Sequence, residues 1–202
     1  MRFKSWNAGV LVFAMAAASP ALAQVNVETD QDRAVVEVER MPVQVGVNFG
    51  VNNFTGAAGD LTGTGALLGV NASVQPWRLI GVELGYEGSR NPVDGTQGGL
   101  WRHNVGALAK VGPTLGQNQN IHPFVGAGVG LSYINPSGDA EDSFRTDYVS
   151  EVPLALGVET QLGPVNAGVR ATYRILGADN FTPDPDANSN LFNASLMLGG
   201  RF

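Results

Sequence analysis

The sequence predicts an all-β fold: one eight-stranded antiparallel transmembrane β-barrel over residues 42–202 of a 202-residue chain. Three observations carry that expectation. Apolar residues recur at every second position in eight segments of about ten residues, the length a tilted strand needs to cross a bilayer. The opposite faces of those segments hold glycine, small polar residues and charges instead of a second apolar set. The amino-terminal stretch reads as a secretory address.

Bulk composition narrows the functions. A net charge of −6 with 12 Lys and Arg disfavours binding to nucleic-acid backbones, which takes clustered positive charge. The absence of cysteine removes disulfide frameworks, thiolate metal sites and an amino-terminal lipid anchor.

In chain order, Arg2 and Lys4 precede the apolar run Ala8–Ala18, and Ala21–Ala23 forms a small-x-small cleavage site after Pro20. Residues 1–23 are therefore expected to be a cleaved signal peptide. Residues 24–41 have a mixed pattern and are expected to be a flexible periplasmic extension, with a short strand or helix over Ala34–Met41 as the alternative.

Alternation begins at Pro42. Val43, Val45, Val47, Phe49 and Val51 share one face, and Leu68–Val74, Ile80–Tyr86 and Trp101–Val111 repeat the pattern. Val125–Tyr133, Val152–Leu162, Val165–Ile175 and Phe192–Phe202 complete the eight segments. The opposite parity places Glu83, Glu87, Arg102, Lys110, Glu159, Arg170, Arg174 and Arg201 on the polar face.

Two architectures satisfy this pattern. A soluble lipocalin-like barrel points its apolar face inward; an outer-membrane barrel points it to lipid and fills the lumen with the polar face. Aromatic placement favours the membrane. With both termini periplasmic, Phe49, Tyr86, Trp101, Tyr133, Tyr173 and Phe192 fall on apolar faces near the outer strand ends, as an aromatic girdle requires, with Trp77 and Phe202 at the opposite rim. Long acidic connections near 53–62, 89–100, 134–150 and 177–190 alternate with short ones, although 112–120 is long for an inner turn.

The segment "PFVGAGVGLSY" (Pro123–Tyr133) places glycine at every second position. In a narrow barrel some lumen faces must be small, so Gly126, Gly128 and Gly130 are expected to leave room for charged side chains of neighbouring strands.

This segment, the charged lumen faces and the ending "LMLGGRF" resemble small bacterial outer-membrane barrels of the OmpA transmembrane domain and OmpX type, over roughly residues 42–202. The resemblance implies that Leu196, Leu198 and Phe202 form the terminal signal read by the barrel-assembly machinery, with Gly200 standing where an aromatic is common. It further implies contact with outer-membrane lipid and lipopolysaccharide, a monomeric state and no cofactor. The peptidoglycan-binding domain of OmpA-like proteins finds no counterpart after Phe202, so cell-wall anchoring is not expected.

For function, the lumen charges allow a salt-bridged plug or a narrow, weakly anion-selective channel, and at eight strands the interior is about filled by side chains. The plug is favoured, and with it a structural role and surface contact through the loops. A lipid A modifying hydrolase would need Ser, His and an acid together. The two histidines do not suggest this: His103 has lipid-facing parity with no serine two positions away, and His122 lies at a periplasmic turn. No metal site is expected. "DPDAN" (Asp184–Asn188) opens like a calcium loop but has Ser189 and Ser195 where glycine and an acid are required. Asp139, Glu141, Asp142 and Asp147 read as a solvated face, with loose cation bridging to lipopolysaccharide phosphates as the alternative.

Overall fold

The computed structural model describes residues 24–26, 37–39, 42–116, 120–142, 144–177 and 189–202. The expected signal peptide and "DPDAN" lie outside them. Strands β1 (Gln24–Asn26) and β2 (Glu37–Glu39) pair antiparallel within an amino-terminal unit distinct from the barrel.

The barrel strands are β3 (Val43–Gly56), β4 (Gly65–Trp77), β5 (Ile80–Pro92), β6 (Gly99–Val111), β7 (Ile121–Ser137), β8 (Asp147–Leu162), β9 (Val165–Leu176) and β10 (Ser189–Arg201). Each pairs antiparallel with its chain neighbours, and β10 pairs with β3 from Ser189↔Gly56 to Arg201↔Gln44, closing the barrel. Phe202 extends the seam by exchanging two backbone hydrogen bonds with Val43, at 2.9 and 3.1 Å. Closure leaves no sheet edge, which is what permits strands in a bilayer.

Two connections at one end are two-residue turns, Arg78–Leu79 and Gly163–Pro164. Gly163 takes φ 65° there, a conformation that suits glycine and disfavours other residues. This end is called the turn end and the other the loop end. The strands run 12 to 17 residues, longer than the sequence pattern indicates. Pairs such as Asn91↔Leu100 and Pro92↔Gly99 continue the β5–β6 ladder, so that connection shrinks to residues 93–98. Ladder pairing satisfies backbone groups that a loop would leave to water.

Alternation now has a direction. Outward side chains are apolar and exposed across the middle of every strand: Leu68, Val125, Val129 and Leu156 are 65, 63, 66 and 63% exposed. Near the loop end the outward positions turn polar at Asn53, Thr55, Asn135, Ser150 and Asn190. A continuous outward belt of this kind is a lipid-facing surface, and it is the reverse of a lipocalin-like barrel.

Inward positions are not uniformly polar. At the loop end Phe54, Leu100, Ile134, Phe144, Val149 and Leu191 belong to a buried apolar cluster, and Leu108, Phe124, Ala155 and Met197 form a second, deeper one. The glycine row of β7 is filled chiefly by β6. A Cβ on Gly126 would sit 3.2 Å from Leu108 Cγ, one on Gly128 would collide with the Ala107 carbonyl, and one on Gly130 would sit 2.9 Å from Asn104 Nδ2. Pro153, which has no N–H to give, interrupts β7–β8 pairing between Ala127↔Leu154 and Gly130↔Glu151.

Candidate functional site: the charged lumen

Alternation aims lumen-parity side chains of β5, β6, β8 and β9 at one another, and their charges meet in two stacked rings. The ring nearer the turn end joins Glu83, Lys110, Glu159 and Arg170. Arg170 holds Glu83 with two parallel hydrogen bonds, both 2.7 Å. Lys110 donates to Glu83 at 3.2 Å and to Glu159 at 2.8 Å. The phenyl ring of Phe124 underlies both cations, 5.2 Å from Lys110 Nζ and 5.7 Å from the Arg170 guanidinium carbon. It occupies space over Gly157, where a Cβ would come within 2.8 Å of the ring.

The second ring joins Glu87, Arg102, Glu151 and Arg174. Arg102 is fully buried and holds Glu151 in a bidentate pair at 2.7 and 2.6 Å while donating to Glu87 at 2.8 Å. Arg174 donates to Glu151 at 3.1 Å and to Glu87 at 3.2 Å. Asn104 and the Ser132 hydroxyl also donate to Glu151, and Asn193 donates to Glu87 at 2.9 Å.

The two rings repeat one plan. β5 supplies a carboxylate, β6 a cation, β8 a carboxylate and β9 a cation. Arg102–Glu151 and Lys110–Glu159 reach across β7, whose lumen face is narrow, and Glu83–Arg170 and Glu87–Arg174 join strands on opposite sides of the closed sheet. Water is largely excluded here, so pairing of every charge decides whether burial is tolerable.

Two differences from the sequence reading change the charge balance. Arg201 is not drawn in: it is exposed at the end of β10 and lines the mouth at the turn end with Gln44, Trp77, Arg78 and His122. Its position opposite Gln44, at the last paired step of the seam, leaves it no carboxylate among the described residues. Glu151 was missed, although it is 2% exposed and central to the second ring. Its signal was available, because it shares parity with Pro153, Ala155, Gly157 and Glu159, one step before the apolar run that defined β8. Three carboxylates against five cations thus become four against four in the rings. The positive excess that suggested anion preference is gone.

Above the second ring, Asn52 donates to Ser89 at 3.2 Å and to Asn91 at 2.9 Å, and the apolar cluster of the loop end closes over this layer. Between the rings lies a cavity of about 50 Å³ bordered by Asn48, Thr172, Arg170 and Arg174. It is polar and large enough for water. The mouth cavity at the turn end is larger, about 380 Å³.

The aromatic set Phe49, Tyr86, Trp101, Tyr173 and Phe192 is exposed on the outward face, between 37 and 43%. Tyr133 is only half-buried because it stacks against His103 at 6.5 Å and Tyr148 at 5.0 Å. Leu196 and Leu198 point outward, and Phe202 is 84% exposed with its ring against Gly200, where a Cβ would lie 3.4 Å away. His103 faces outward with Nδ1 2.7 Å from the Tyr86 hydroxyl, and His122 Nε2 lies 3.0 Å from the Gly112 carbonyl, so the two imidazoles occupy separate settings. Asp139 and Glu141 are exposed in the 3₁₀ turn Gly138–Asp142, and Asp147 opens β8. Among the described residues no three His, Cys, Asp or Glu side chains converge as metal ligands.

A family profile described as outer membrane protein beta-barrel domain matches residues 8–202. Among solved structures, Neisserial surface protein A superposes with a TM-score of 0.59 at 13% identity, covering 79% of this chain and 97% of that one. Ail, the attachment invasion locus protein of Yersinia pestis, gives 0.54 at 10% identity, covering 80% and 99%. OprG from Pseudomonas aeruginosa gives 0.54 at 13% identity, covering 80% and 96%. No curated protein sequence matches the chain. At such identities the structural likenesses speak to the fold.

Proposed function

The chain belongs to the outer membrane protein beta-barrel domain family, and we propose that it is a non-enzymatic, non-conducting barrel of the bacterial outer membrane, contributing to membrane integrity and making surface contacts through its loops. On this reading residues 1–23 are removed as a signal peptide, the turn end faces the periplasm, and Leu196, Leu198 and Phe202 present the strand that the assembly machinery reads. The barrel works as a monomer among lipid and lipopolysaccharide.

The observation that carries the reading is the filled lumen. Two charge-balanced rings, an amide and hydroxyl layer and an apolar cap succeed one another along the bore. An ion crossing it would have to break buried pairs and then enter an apolar layer, both costly steps.

Catalysis has little support. His103 is oriented by a tyrosine, and among the described residues no serine or carboxylate is bonded to it. One Ail structure is a complex with the heparin analogue sucrose octasulfate. In this chain the described residues of the loop end carry Asp60, Asp94, Asp139, Glu141 and Asp147 against Arg90 and Arg145, a balance that disfavours a polysulfate partner.

The test is single-channel recording of the refolded chain in a planar bilayer, with insertion established by the gel shift of the unboiled barrel. Silence after insertion is expected. Discrete, reproducible steps would overturn the reading and make the narrow channel the working assignment.

A further inference from the structure

The outward face of the strands is apolar through its middle, and two side chains near the loop end depart from it. Among the described residues, Arg90 is the one Lys or Arg on an outward strand face, and His103 the one imidazole. They stand on neighbouring strands, Arg90 opposite Trp101 and His103 opposite Gly88.

Arg90 lies flat on its neighbour, with its guanidinium carbon 5.8 Å from the Trp101 ring centre. A Cβ on Gly99 would come within 3.0 Å of its Nη2, so glycine there lets the fork settle. No carboxylate among the described residues pairs with it, whereas each cation of the two rings has at least one. An exposed guanidinium held on an aromatic face keeps its donors available for a planar or tetrahedral oxyanion.

His103 is fixed from one side by the Tyr86 hydroxyl at 2.7 Å. A Cβ on Gly88 would lie in ordinary contact with that hydroxyl, at 3.4 Å. A phenol that donates to Nδ1 leaves the proton of the ring on Nε2, and Nε2 has no partner among the described residues. The ring contacts run on from Tyr86 through His103 and Tyr133 to Tyr148, a ladder across four strands. On β7 the next outward residue after Tyr133 is Asn135, and on β5 Arg90 is the last outward residue before Pro92. The cluster therefore sits where the apolar belt gives way to the polar rim, at headgroup depth for a barrel placed as above.

We propose that Arg90 and His103, backed by this ring ladder, form a docking site for the phosphomonoester headgroup of an outer-leaflet lipid. The guanidinium, over Trp101 and Gly99, bonds the phosphate oxygens, and His103 and the rings, one step nearer the apolar belt, lie along the sugar or glycerol part that joins the phosphate to its acyl chains, with Nε2 facing an ester oxygen there. The site rests on the membrane placement of the proposed function.

The test uses the refolded chain in phosphatidylcholine nanodiscs doped with phosphatidic acid as the phosphomonoester probe, read as lipid retained on the protein in native mass spectrometry. The wild type is expected to retain phosphatidic acid over phosphatidylcholine. Arg90→Gln should reduce that preference about tenfold, the loss of one charge-assisted contact set, and His103→Phe about threefold. Arg78→Gln, an exposed arginine at the turn end, should leave it unchanged. Equal retention by wild type and Arg90→Gln, or an equal loss in Arg78→Gln, overturns the site. Failure to enter the discs fails the membrane placement instead, a separately scored result.

Discussion

Removing the Glu151 carboxylate is the sharpest perturbation of the lumen. The side chain accepts both nitrogens of the Arg102 fork at 2.7 and 2.6 Å, Arg174 at 3.1 Å, Asn104 at 3.1 Å and the Ser132 hydroxyl. In Glu151→Ala the second ring keeps two guanidinium groups against the single carboxylate of Glu87, a net buried charge of +1. Breaking a buried pair from one side costs about 3–5 kcal/mol, because the remaining charge is desolvated and unpaired. The apolar cap overhead shields the ring from bulk water, and the cavity of about 50 Å³ beside Arg174 offers room for little more than a water or two, so a loss within that range is expected. The assay is equilibrium urea unfolding in lipid vesicles, followed by tryptophan fluorescence. The companion variant Arg102→Met/Glu151→Leu removes charge from both sides and should recover much of the loss, since apolar replacement of a whole pair is often neutral or stabilising. A loss below about 1 kcal/mol in Glu151→Ala, the scale of an exposed pair, would refute the argument that the ring is dry.

Other variants probe neighbouring parts of the argument. Arg170→Ala and Arg174→Ala should each lower the unfolding midpoint by leaving their ring with two carboxylates against one cation, while Arg201→Ala, exposed at the mouth, should stay within about 0.5 kcal/mol of wild type in the same titration. Gly128→Ala forces a methyl against the Ala107 carbonyl and should cost about 1–3 kcal/mol and slow refolding. Gly81→Ala, whose nearest atom would be 3.5 Å away, should be tolerated in both measurements. Trp101, 42% exposed on the outward face, should be quenched by brominated acyl chains in reconstituted vesicles; Trp101 emission indifferent to bromine would count against the lipid-facing belt.

Much of this molecule was legible because a strand has a two-residue period. Once Val45, Val47 and Phe49 fix the outward parity of β3, the face of Asn48 and Asn52 follows without further information, and the same rule orders every other barrel strand. Strand ends were less legible: a polar outward residue such as Asn53 or Asn135 reads as loop, yet the hairpins continue past the apolar belt. Glu151 was lost to that error. Pairing across the bore was not legible at all, because the contact of Glu83 with Arg170, 87 residues away in sequence, depends on the stagger of a closed sheet. The inward apolar cap was obscured for a related reason: Ile134 and Leu191 keep the inward parity of polar Ser132 and Asn193 but lie beyond the ring level.

The distribution of charge around the circumference bears on how such a barrel can be completed. All eight ring charges come from β5, β6, β8 and β9, a run that is contiguous in the chain once β7 is included. The strands at the seam, β10, β3 and β4, offer the rings only uncharged groups such as Asn193, Asn48 and Met197. The pairs that span one strand, Arg102–Glu151 and Lys110–Glu159, need only β6, β7 and β8 side by side. Glu83–Arg170 and Glu87–Arg174 form only when curling brings β5 opposite β9, so the zippering of Ser189–Arg201 onto Val43–Gly56 and the completion of the rings are one event.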